Sequence, residues 1–304
     1  MKVLVATEKP FAPVAITGIR EVVEREGGEL LLLEKYTDRQ QLLDAVAGVD
    51  ALIVRSDKVD AAVLDAAKQL KIVVRAGAGY DNVDLAAATA HNVVVMNTPG
   101  QNSNAVAELV FGMLLMQVRR RFSGKAGTEL KGKTIGLYTY GNVADNVARI
   151  AQGFGMHVVT YLYCCPIPVR EGVECVSSPA ELFEKSDIVS LHIPLTPDTR
   201  EFVNRAMLER MKPDAILVNT ARKEVVSEAD LLAVMQERPA MAYVTDLLPD
   251  AHAEFEAKVP DRYFSTPKKM GAQTAEANIN AGIAAARQVM AYLKNGDETF
   301  RVNR

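Results

Sequence analysis

Short apolar runs alternate along the chain with longer segments in which apolar residues recur every three or four positions. Ala51–Val54 is an example of the first kind and is apolar throughout, as expected for a strand buried on both faces. Ile16–Val23 is an example of the second kind, with apolar residues at helical spacing. This alternation predicts parallel sheets covered by helices on both faces. The predicted fold class is therefore α/β, with two doubly wound, Rossmann-like domains.

The apolar runs predict two groups of strands. The first group comprises Lys2–Ala6, Leu30–Leu33, Ala51–Val54, Ile72–Val74 and Val93–Met96. The second group comprises Thr134–Thr139, Met156–Tyr161, Val173–Val176, Ile188–Ile193, Ala215–Thr220, Ala242–Thr245 and Tyr263–Ser265. A long apolar helix is predicted from Asn104 to about Arg119, and a final helix from Thr274 to about Leu293. Asp60 is predicted to cap a helix, and Ser227–Asp230 is interpreted as a capping box.

The stretch Lys133–Tyr163 opens the second group and predicts a strand, a tight turn, a helix and a second strand. That unit typically binds a dinucleotide, with a glycine-rich turn against the pyrophosphate. Of the three glycines in the fingerprint, only the middle one is present, as Gly141. Thr139 and Ala144 occupy the other two positions. The predicted cofactor is NAD, bound by a turn that departs from the usual pattern.

Two further side chains are expected to weaken the cofactor's binding. Asp145 places a carboxylate near the predicted pyrophosphate, and the repulsion costs roughly 1 kcal/mol under surface-like screening. Leu162 stands where an acidic residue would bind the ribose hydroxyls, and leaving those hydrogen bonds unmade costs about 1–3 kcal/mol. No arginine follows Leu162 closely enough to suggest a 2′-phosphate site, so NADP is not indicated.

Charged residues follow three consecutive strands of the second group. Arg222 follows the strand that ends at Thr220, and its planar guanidinium suits a carboxylate. Asp246 follows the next strand, and Lys268 and Lys269 follow the one after. Open α/β sheets bind ligands at the carboxyl ends of their strands, so these residues are candidates for a reaction centre. The alternative is a set of loop charges that face water.

The first group of strands repeats this arrangement. Arg55 and Lys58 follow the third strand, and Arg75 follows the fourth, ahead of a glycine-rich turn at Gly77. Backbone N–H groups in such a turn can hold an anion. The set predicts a site for a small anion carrying phosphate and carboxylate groups, with solvated loop charges again as the alternative.

The motifs VRSDKV, VRAGAGYDNVDL, ELKGKTIGL, VSLHIPLTPDTR, LVNTARKEVV and STPKKMGAQTAEANINAG together resemble the D-isomer-specific 2-hydroxyacid dehydrogenases. Within that family the resemblance is strongest to short, lysine-type 3-phosphoglycerate dehydrogenases. It implies a substrate domain of residues 1–98 plus 282–304 and a dinucleotide domain of residues 99–281. It also implies oxidation of D-3-phosphoglycerate to 3-phosphohydroxypyruvate with NAD, and a homodimer through the central domain. The regulatory domain of longer relatives is expected to be absent.

The resemblance assigns roles by position. The implied catalytic residues are Arg222, Lys269, Lys268 and Asp246, with Arg222 on the substrate carboxylate and Lys269, or else Lys268, as acid–base. The implied substrate-binding residues are Arg55, Lys58, Arg75 and Gly77. The implied cofactor-binding residues are Gly141, Asn142, Val143, Leu162, His192, Pro194, Thr220 and Asp246. Most relatives carry a histidine at the acid–base position, whereas burial and positive neighbours, Arg222 and the second lysine, are here expected to lower the lysine pKa and give a neutral, proton-accepting amine.

Composition narrows the remaining possibilities. The chain has 35 basic and 38 acidic residues, a net charge of −3 and no basic stripe, so neither nucleic acid nor an anionic membrane is an expected partner. Cys164, Cys165 and Cys175 are too few for a disulfide framework or a zinc site, and no metal is expected. A cytoplasmic protein is predicted. Two other readings stay open: a cofactor-impaired or catalytically silent relative that binds a phosphorylated 2-hydroxy acid, and a dehydrogenase for another 2-hydroxy acid.

Overall fold

The computed structural model describes residues 1–163 and 167–303 and divides into two compact units. Unit 1 comprises Met1–Asn102 and Gln273–Arg304, and unit 2 comprises Ser103–Ala272. Cys164 and Cys165 lie outside the described residues, and Cys175 is exposed.

Unit 1 contains a five-stranded sheet in the order β2-β1-β3-β4-β5, in which all neighbouring strands are parallel. Its strands are β1 (Lys2–Thr7), β2 (Glu29–Glu34), β3 (Ala51–Val54), β4 (Ile72–Arg75) and β5 (Val94–Asn97). Every residue of β3 is buried, as the unbroken apolar run predicts. The strand order reverses between β1 and β3, which is where open sheets of this class bind ligands.

Helices cover this sheet and include one from the end of the chain. They are α1 (Pro13–Arg25), α2 (Arg39–Val46), α3 (Ala61–Ala66), α4 (Leu85–Ala90) and α11 (Ala275–Asn295). Helix α11 packs closely on α1, because Gly282 has no side chain and a Cβ there would lie 3.0 Å from Ile19. Residue 282, the predicted start of the C-terminal part of the substrate domain, lies inside α11, and unit 1 includes the chain from Gln273 onward.

Unit 2 contains a seven-stranded parallel sheet in the order β12-β11-β10-β9-β6-β7-β8. Its strands are β6 (Thr134–Tyr138), β7 (His157–Tyr161), β8 (Val173–Cys175), β9 (Ile188–Leu191), β10 (Ile216–Asn219), β11 (Ala242–Thr245) and β12 (Tyr263–Ser265). From β6 the chain runs outward through β7 to β8 and then returns to β9 on the other side of β6. The predicted class, two doubly wound parallel sheets, is confirmed.

The helices of unit 2 are α5 (Ser103–Val118), α6 (Asn142–Gly153), α7 (Pro179–Lys185), α8 (Arg205–Leu208), α9 (Glu228–Glu237) and α10 (His252–Lys258). Short 3₁₀ turns occupy Arg120–Phe122, Lys223–Val225 and Pro260–Arg262. Among the described residues, no helix combines the length and apolar character needed to cross a membrane.

Two helix starts test the capping predictions. Asp60 caps α3 as predicted, since its side chain accepts a hydrogen bond from the Val63 N–H. The capping box at Ser227–Asp230 is wrong, because Ser227 makes no side-chain capping bond to α9. Asp230 instead accepts a hydrogen bond from the Arg205 N–H, at 3.0 Å. The Asp230 side chain fits a local capping pattern in the sequence, but in the structure it binds a residue that is distant along the chain.

Candidate active site

The carboxyl edge between β6 and β9 is the point at which the strand order of unit 2 reverses. Tyr138 pairs with Leu191 in the parallel register, so the residues that follow them, Thr139 and His192, emerge side by side. The His192 N–H donates to the Tyr138 carbonyl at 3.1 Å, which fixes the chain at this edge. Open α/β sheets bind their ligands in the crevice at such a reversal.

Two buried polar atoms at this edge have no hydrogen-bond partner among the described residues. They are the Oγ1 of Thr139 and the Nε2 of His192. Burial lowers the pKa of His192 to about 4, so the imidazole is neutral near pH 7. Buried polar atoms almost always have a partner, and a polar ligand at the edge would supply one.

The turn between β6 and α6 is shaped to accept an anion. Thr139 adopts φ +76°, a left-handed conformation that a β-branched residue rarely adopts. Gly141 precedes the first turn of α6 without a side-chain cap, and a Cβ at this position would meet only open space. The first N–H groups of this 12-residue helix, including those of Asn142 and Val143, lack intrahelical partners. They form a site suited to a phosphate.

Asp145 lies in the first turn of α6, but it is not the uncompensated carboxylate that the sequence suggests. Arg170 binds it with two hydrogen bonds, Nε to Oδ1 at 3.0 Å and Nη2 to Oδ2 at 2.7 Å. The Tyr140 hydroxyl donates to Oδ1 at 2.9 Å. The predicted repulsion of a pyrophosphate assumes that the Asp145 carboxylate has no positive partner. That assumption is wrong, because Arg170 neutralises the charge within the protein.

Leu162 and Ala144 differ in how they affect the predicted cofactor site. Leu162 follows β7 and is 38% exposed, so an apolar side chain occupies the end of the strand where ribose hydroxyls would need an acceptor. Ala144 is fully buried in the core between α6 and the sheet. The extra methyl group at the third fingerprint position is thus accommodated by packing.

The remaining predicted cofactor residues lie along the same edge. Pro194 is exposed on the loop after β9, and its carbonyl accepts a hydrogen bond from the buried Thr199 hydroxyl at 2.7 Å. Thr220 follows β10 and is 7% exposed. Both therefore flank the strand ends at which a dinucleotide would lie.

Arg222 and Lys269 meet at a single backbone oxygen. The Nη1 of Arg222 donates to the Ala221 carbonyl at 2.9 Å, and the Nζ of Lys269 donates to the same oxygen at 3.2 Å. Both side chains are exposed. Lys268 is also exposed and makes no hydrogen bond or ion pair with the rest of the described chain. Of the two predicted lysines, Lys269 is the one that the structure brings next to Arg222.

Asp246 organises the turn that carries these lysines. It is 1% exposed, and its Oδ1 accepts hydrogen bonds from the Thr266 hydroxyl at 2.9 Å and the Met270 N–H at 2.8 Å. Its Oδ2 accepts a hydrogen bond from the Gly271 N–H at 2.7 Å. These three hydrogen bonds hold the turn in place. Asp250, on the loop after β11, pairs with Lys223 at 2.5 Å.

Unit 1 brings together two of its predicted anion-binding residues. The Nε of Arg75 donates to the Arg55 carbonyl at 2.8 Å, and the guanidinium of Arg75 fills the space that a side chain at Gly77 would need. Arg55 donates to the Lys9 carbonyl at 2.8 Å and lies 5.1 Å from the ring of Phe11. Neither arginine forms a salt bridge with the described residues.

The two arginines carry like charges close together in partly buried positions, near the charges of Asp57 and Asp81. Burial lowers the pKa of Arg75, and the nearby positive charge of Arg55 lowers it further. Burial also lowers the pKa of Arg55. Lys58 is not part of the pair, because its side chain is 73% exposed and lies 3.9 Å from Asp60.

Comparison with known proteins identifies the family of the chain. Residues 110–267 match the family model described as D-isomer specific 2-hydroxyacid dehydrogenase, NAD binding domain. The chain belongs to the D-isomer specific 2-hydroxyacid dehydrogenase family. It is 34% identical over 289 residues to D-3-phosphoglycerate dehydrogenase of Methanocaldococcus jannaschii, covering 88% of this chain and 54% of that protein. The chain thus spans about half the length of that relative.

Two other members of the family extend the comparison. The chain is 35% identical over 293 residues to hydroxypyruvate reductase of Thermotoga maritima, covering 87% of this chain and 92% of that protein. The crystal structure of NAD⁺-bound 3-phosphoglycerate dehydrogenase of Entamoeba histolytica is 42% identical, with a TM-score of 0.85. That comparison covers 100% of this chain and 99% of the other.

The residues of unit 2 fit the cofactor of the NAD-binding domain at the turn and at the strand reversal. The open space at Gly141, the first-turn N–H groups of α6 and the two orphaned polar atoms suit a bound dinucleotide. Two residues at this site are not predicted from the sequence: Arg170, which neutralises Asp145, and Tyr140, which hydrogen-bonds to it. The only signal for Arg170 is a basic residue on the segment that follows β7, 25 positions after Asp145.

Proposed function

We propose that the chain is an NAD-dependent dehydrogenase that oxidises D-3-phosphoglycerate at C2 to 3-phosphohydroxypyruvate. The observation that carries the proposal is the convergence of Lys269 and Arg222 on the Ala221 carbonyl oxygen. A cation that binds carboxylate and an amine that exchanges protons are the two groups that oxidation of a 2-hydroxy acid requires. At the carboxyl edge of unit 2, the guanidinium of Arg222 and the amine of Lys269 both donate to the Ala221 carbonyl oxygen.

The side chains have separate tasks in this reaction. Arg222 binds the substrate carboxylate with its planar guanidinium and so orients C2. Neutral Lys269 accepts the hydroxyl proton at Nζ as the C2–O bond becomes a carbonyl. Bound NAD would supply the acceptor for the hydride of C2, and the first-turn N–H groups of α6 would hold it. Asp246 acts indirectly: it accepts hydrogen bonds from the N–H groups of Met270 and Gly271 and so holds the turn that carries Lys269.

A phosphorylated substrate is favoured by the arginine pair of unit 1. Arg55 and Arg75 are half-buried, lie next to each other and lack a carboxylate partner among the described residues. An anion with two charges would relieve their mutual repulsion. The hydroxypyruvate reductase relative raises a second candidate, the reduction of an unphosphorylated 2-keto acid. Arg75→Met should therefore raise the KM for 3-phosphoglycerate far more than the KM for hydroxypyruvate.

The acid–base assignment is tested by two matched substitutions. Lys269→Ala should lower kcat for 3-phosphoglycerate oxidation by about 10²–10⁴-fold, because it removes the proton acceptor. Lys268→Ala is the neighbouring control and should have a much smaller effect. Steady-state NADH formation by the purified proteins measures both. A loss confined to Lys268→Ala would transfer the role to that residue, and full activity in both variants would remove the lysine mechanism.

The second reading is a cofactor-impaired relative that binds a phosphorylated 2-hydroxy acid. The exposed apolar side chain of Leu162 and the strained backbone of Thr139 favour it. Titration with NADH, followed by nicotinamide fluorescence, separates the two readings. Micromolar binding supports the dehydrogenase, and binding absent up to millimolar NADH supports the impaired relative.

A further inference from the structure

We propose that Arg170 is a positioning residue for the dinucleotide, which acts by neutralising Asp145 at the start of α6. Without Arg170, a bare carboxylate would stand in the first helical turn, where the N–H groups are arranged to hold a pyrophosphate. This inference rests on the proposed NAD binding. It assigns a role to a residue that the family's fingerprint does not include.

The contact between Arg170 and Asp145 is a bidentate ion pair. Both nitrogens of the guanidinium fork are engaged, at 3.0 Å and 2.7 Å, which is the strongest geometry for an arginine and a carboxylate. The side chains are only 33% and 26% exposed, so water screens the pair less than it would an ion pair on the surface. This pair therefore differs from the exposed ones of the chain, which contribute little.

Tyr140 joins the ion pair to the backbone. Its hydroxyl donates to Asp145 Oδ1 and accepts a hydrogen bond from the Arg170 N–H at 3.3 Å. Tyr140 itself is fully buried within the turn between β6 and α6. The network thus ties the segment after β7 to the turn on which the cofactor would lie. It fixes both the charge and the position of Asp145.

The charge state of Asp145 depends on these partners. Burial raises the pKa of Asp145, but the hydrogen bonds from Arg170 and Tyr140 outweigh it and leave the pKa below its ordinary value. The carboxylate is therefore ionised at neutral pH, and removing Arg170 leaves a negative charge beside the pyrophosphate. Arg149 also lowers this pKa through its charge, but its guanidinium hydrogen-bonds to Asn104 instead, at 2.7 Å.

A double-mutant cycle tests the inference. NADH titration, followed by nicotinamide fluorescence, is compared for the wild type, Arg170→Met, Asp145→Asn and the double variant. Arg170→Met should weaken binding by about tenfold or more, the size expected for an unscreened like charge nearby. The double variant should return to within about threefold of the wild type, because it removes the charge that Arg170 balances. Arg149→Met is the matched control: it removes a nearby positive charge that makes no hydrogen bond to Asp145, so it should weaken NADH binding much less than Arg170→Met does.

Salt and folding provide independent readouts. The defect of Arg170→Met should shrink as KCl is raised, because salt screens the repulsion between Asp145 and the cofactor. Circular dichroism melts establish that each variant is folded, and Arg170→Lys, which keeps the charge without the fork, should bind better than Arg170→Met. A double variant as weak as Arg170→Met, or an Arg170→Met protein with unchanged affinity, would overturn the inference. Loss of NADH binding in the wild type itself would instead overturn the proposed function and this inference with it.

Discussion

Thr139 combines a left-handed backbone with a buried hydroxyl that has no partner among the described residues. A residue of this kind stores roughly 1–3 kcal/mol of strain. Glycine adopts the same φ without steric cost, although it loses more conformational entropy when the chain folds. Thr139, at the first fingerprint position, therefore lowers the stability of the folded protein through its backbone conformation as well as through its side chain.

Thr139→Gly should raise the free energy of unfolding by about 1 kcal/mol, since relief of strain exceeds the entropy cost of glycine. Urea denaturation at neutral pH measures the change. Thr139→Ala is the control: it removes the hydroxyl but keeps a side chain at positive φ, so it should not reproduce the gain. Equal effects of the two substitutions would show that the backbone at residue 139 is not strained.

His192 provides a pH-dependent contribution to stability. Its folded pKa of about 4 lies below the ordinary value of 6.5, so in acid the unfolded chain binds a proton that the folded chain does not. The resulting loss of stability begins as the pH falls through 6.5 and grows until about pH 4. Between pH 7 and pH 5 it amounts to about 2 kcal/mol.

His192→Gln should remove this part of the pH dependence, because the variant has no imidazole to protonate. Urea denaturation at pH 7, 6 and 5 would show a shallower decline in unfolding free energy than in the wild type. His157→Gln is the control, since His157 is exposed at the start of β7 and its replacement should leave the decline unchanged. A wild-type decline in His192→Gln would mean that other groups cause it.

Among the helices and strands, the sequence predicts the bounds best where one requirement, the burial of an apolar run, sets the position of the element. The bounds predicted for β3, β11 and β12 agree with the structure, because an apolar run between polar turns leaves one choice for a buried strand. Helix α10 was missed, since His252–Lys258 has one buried apolar residue and so shows little periodicity.

Capping motifs were predicted less well because side chains also bond to distant partners. Glu228 lies in the first turn of α9, yet its carboxylate accepts hydrogen bonds from the N–H groups of Asp250 and Ala251, at 3.2 Å and 2.8 Å. The same limit applies to the candidate site. The positions of Arg222 and Lys269 at strand ends follow from the topology, whereas the Asp145–Arg170 pair depends on where an irregular segment runs.

For the whole molecule, the homodimer implied by the resemblance stays a prediction. Phe122 is 71% exposed and lies on a turn in which Arg120, Arg121 and Phe122 all have φ between 50° and 57°. The positive φ angles of this turn hold the aromatic ring out in water. We expect a second copy of the chain to cover this surface of unit 2.

Light scattering on the purified protein should give about twice the chain mass of 33.1 kDa. Phe122→Asp should shift the mass toward the monomer, because it would bury an unpaired charge at the interface. Val14→Asp replaces an exposed apolar residue of unit 1, 58% accessible, and should leave the mass unchanged. A wild-type mass near that of one chain would rule out the dimer.

The ion pair between Asp145 and Arg170 also constrains how this sequence can change. Because each residue compensates the other, the effect of substituting one depends on which residue occupies the other position. If Arg170 is substituted first, the intermediate protein carries an unbalanced carboxylate at Asp145. If Asp145 is substituted first, no such intermediate is formed. Diverging copies of the gene should therefore give up the acidic residue before the basic one, and directed evolution toward tighter NAD binding should follow the same order.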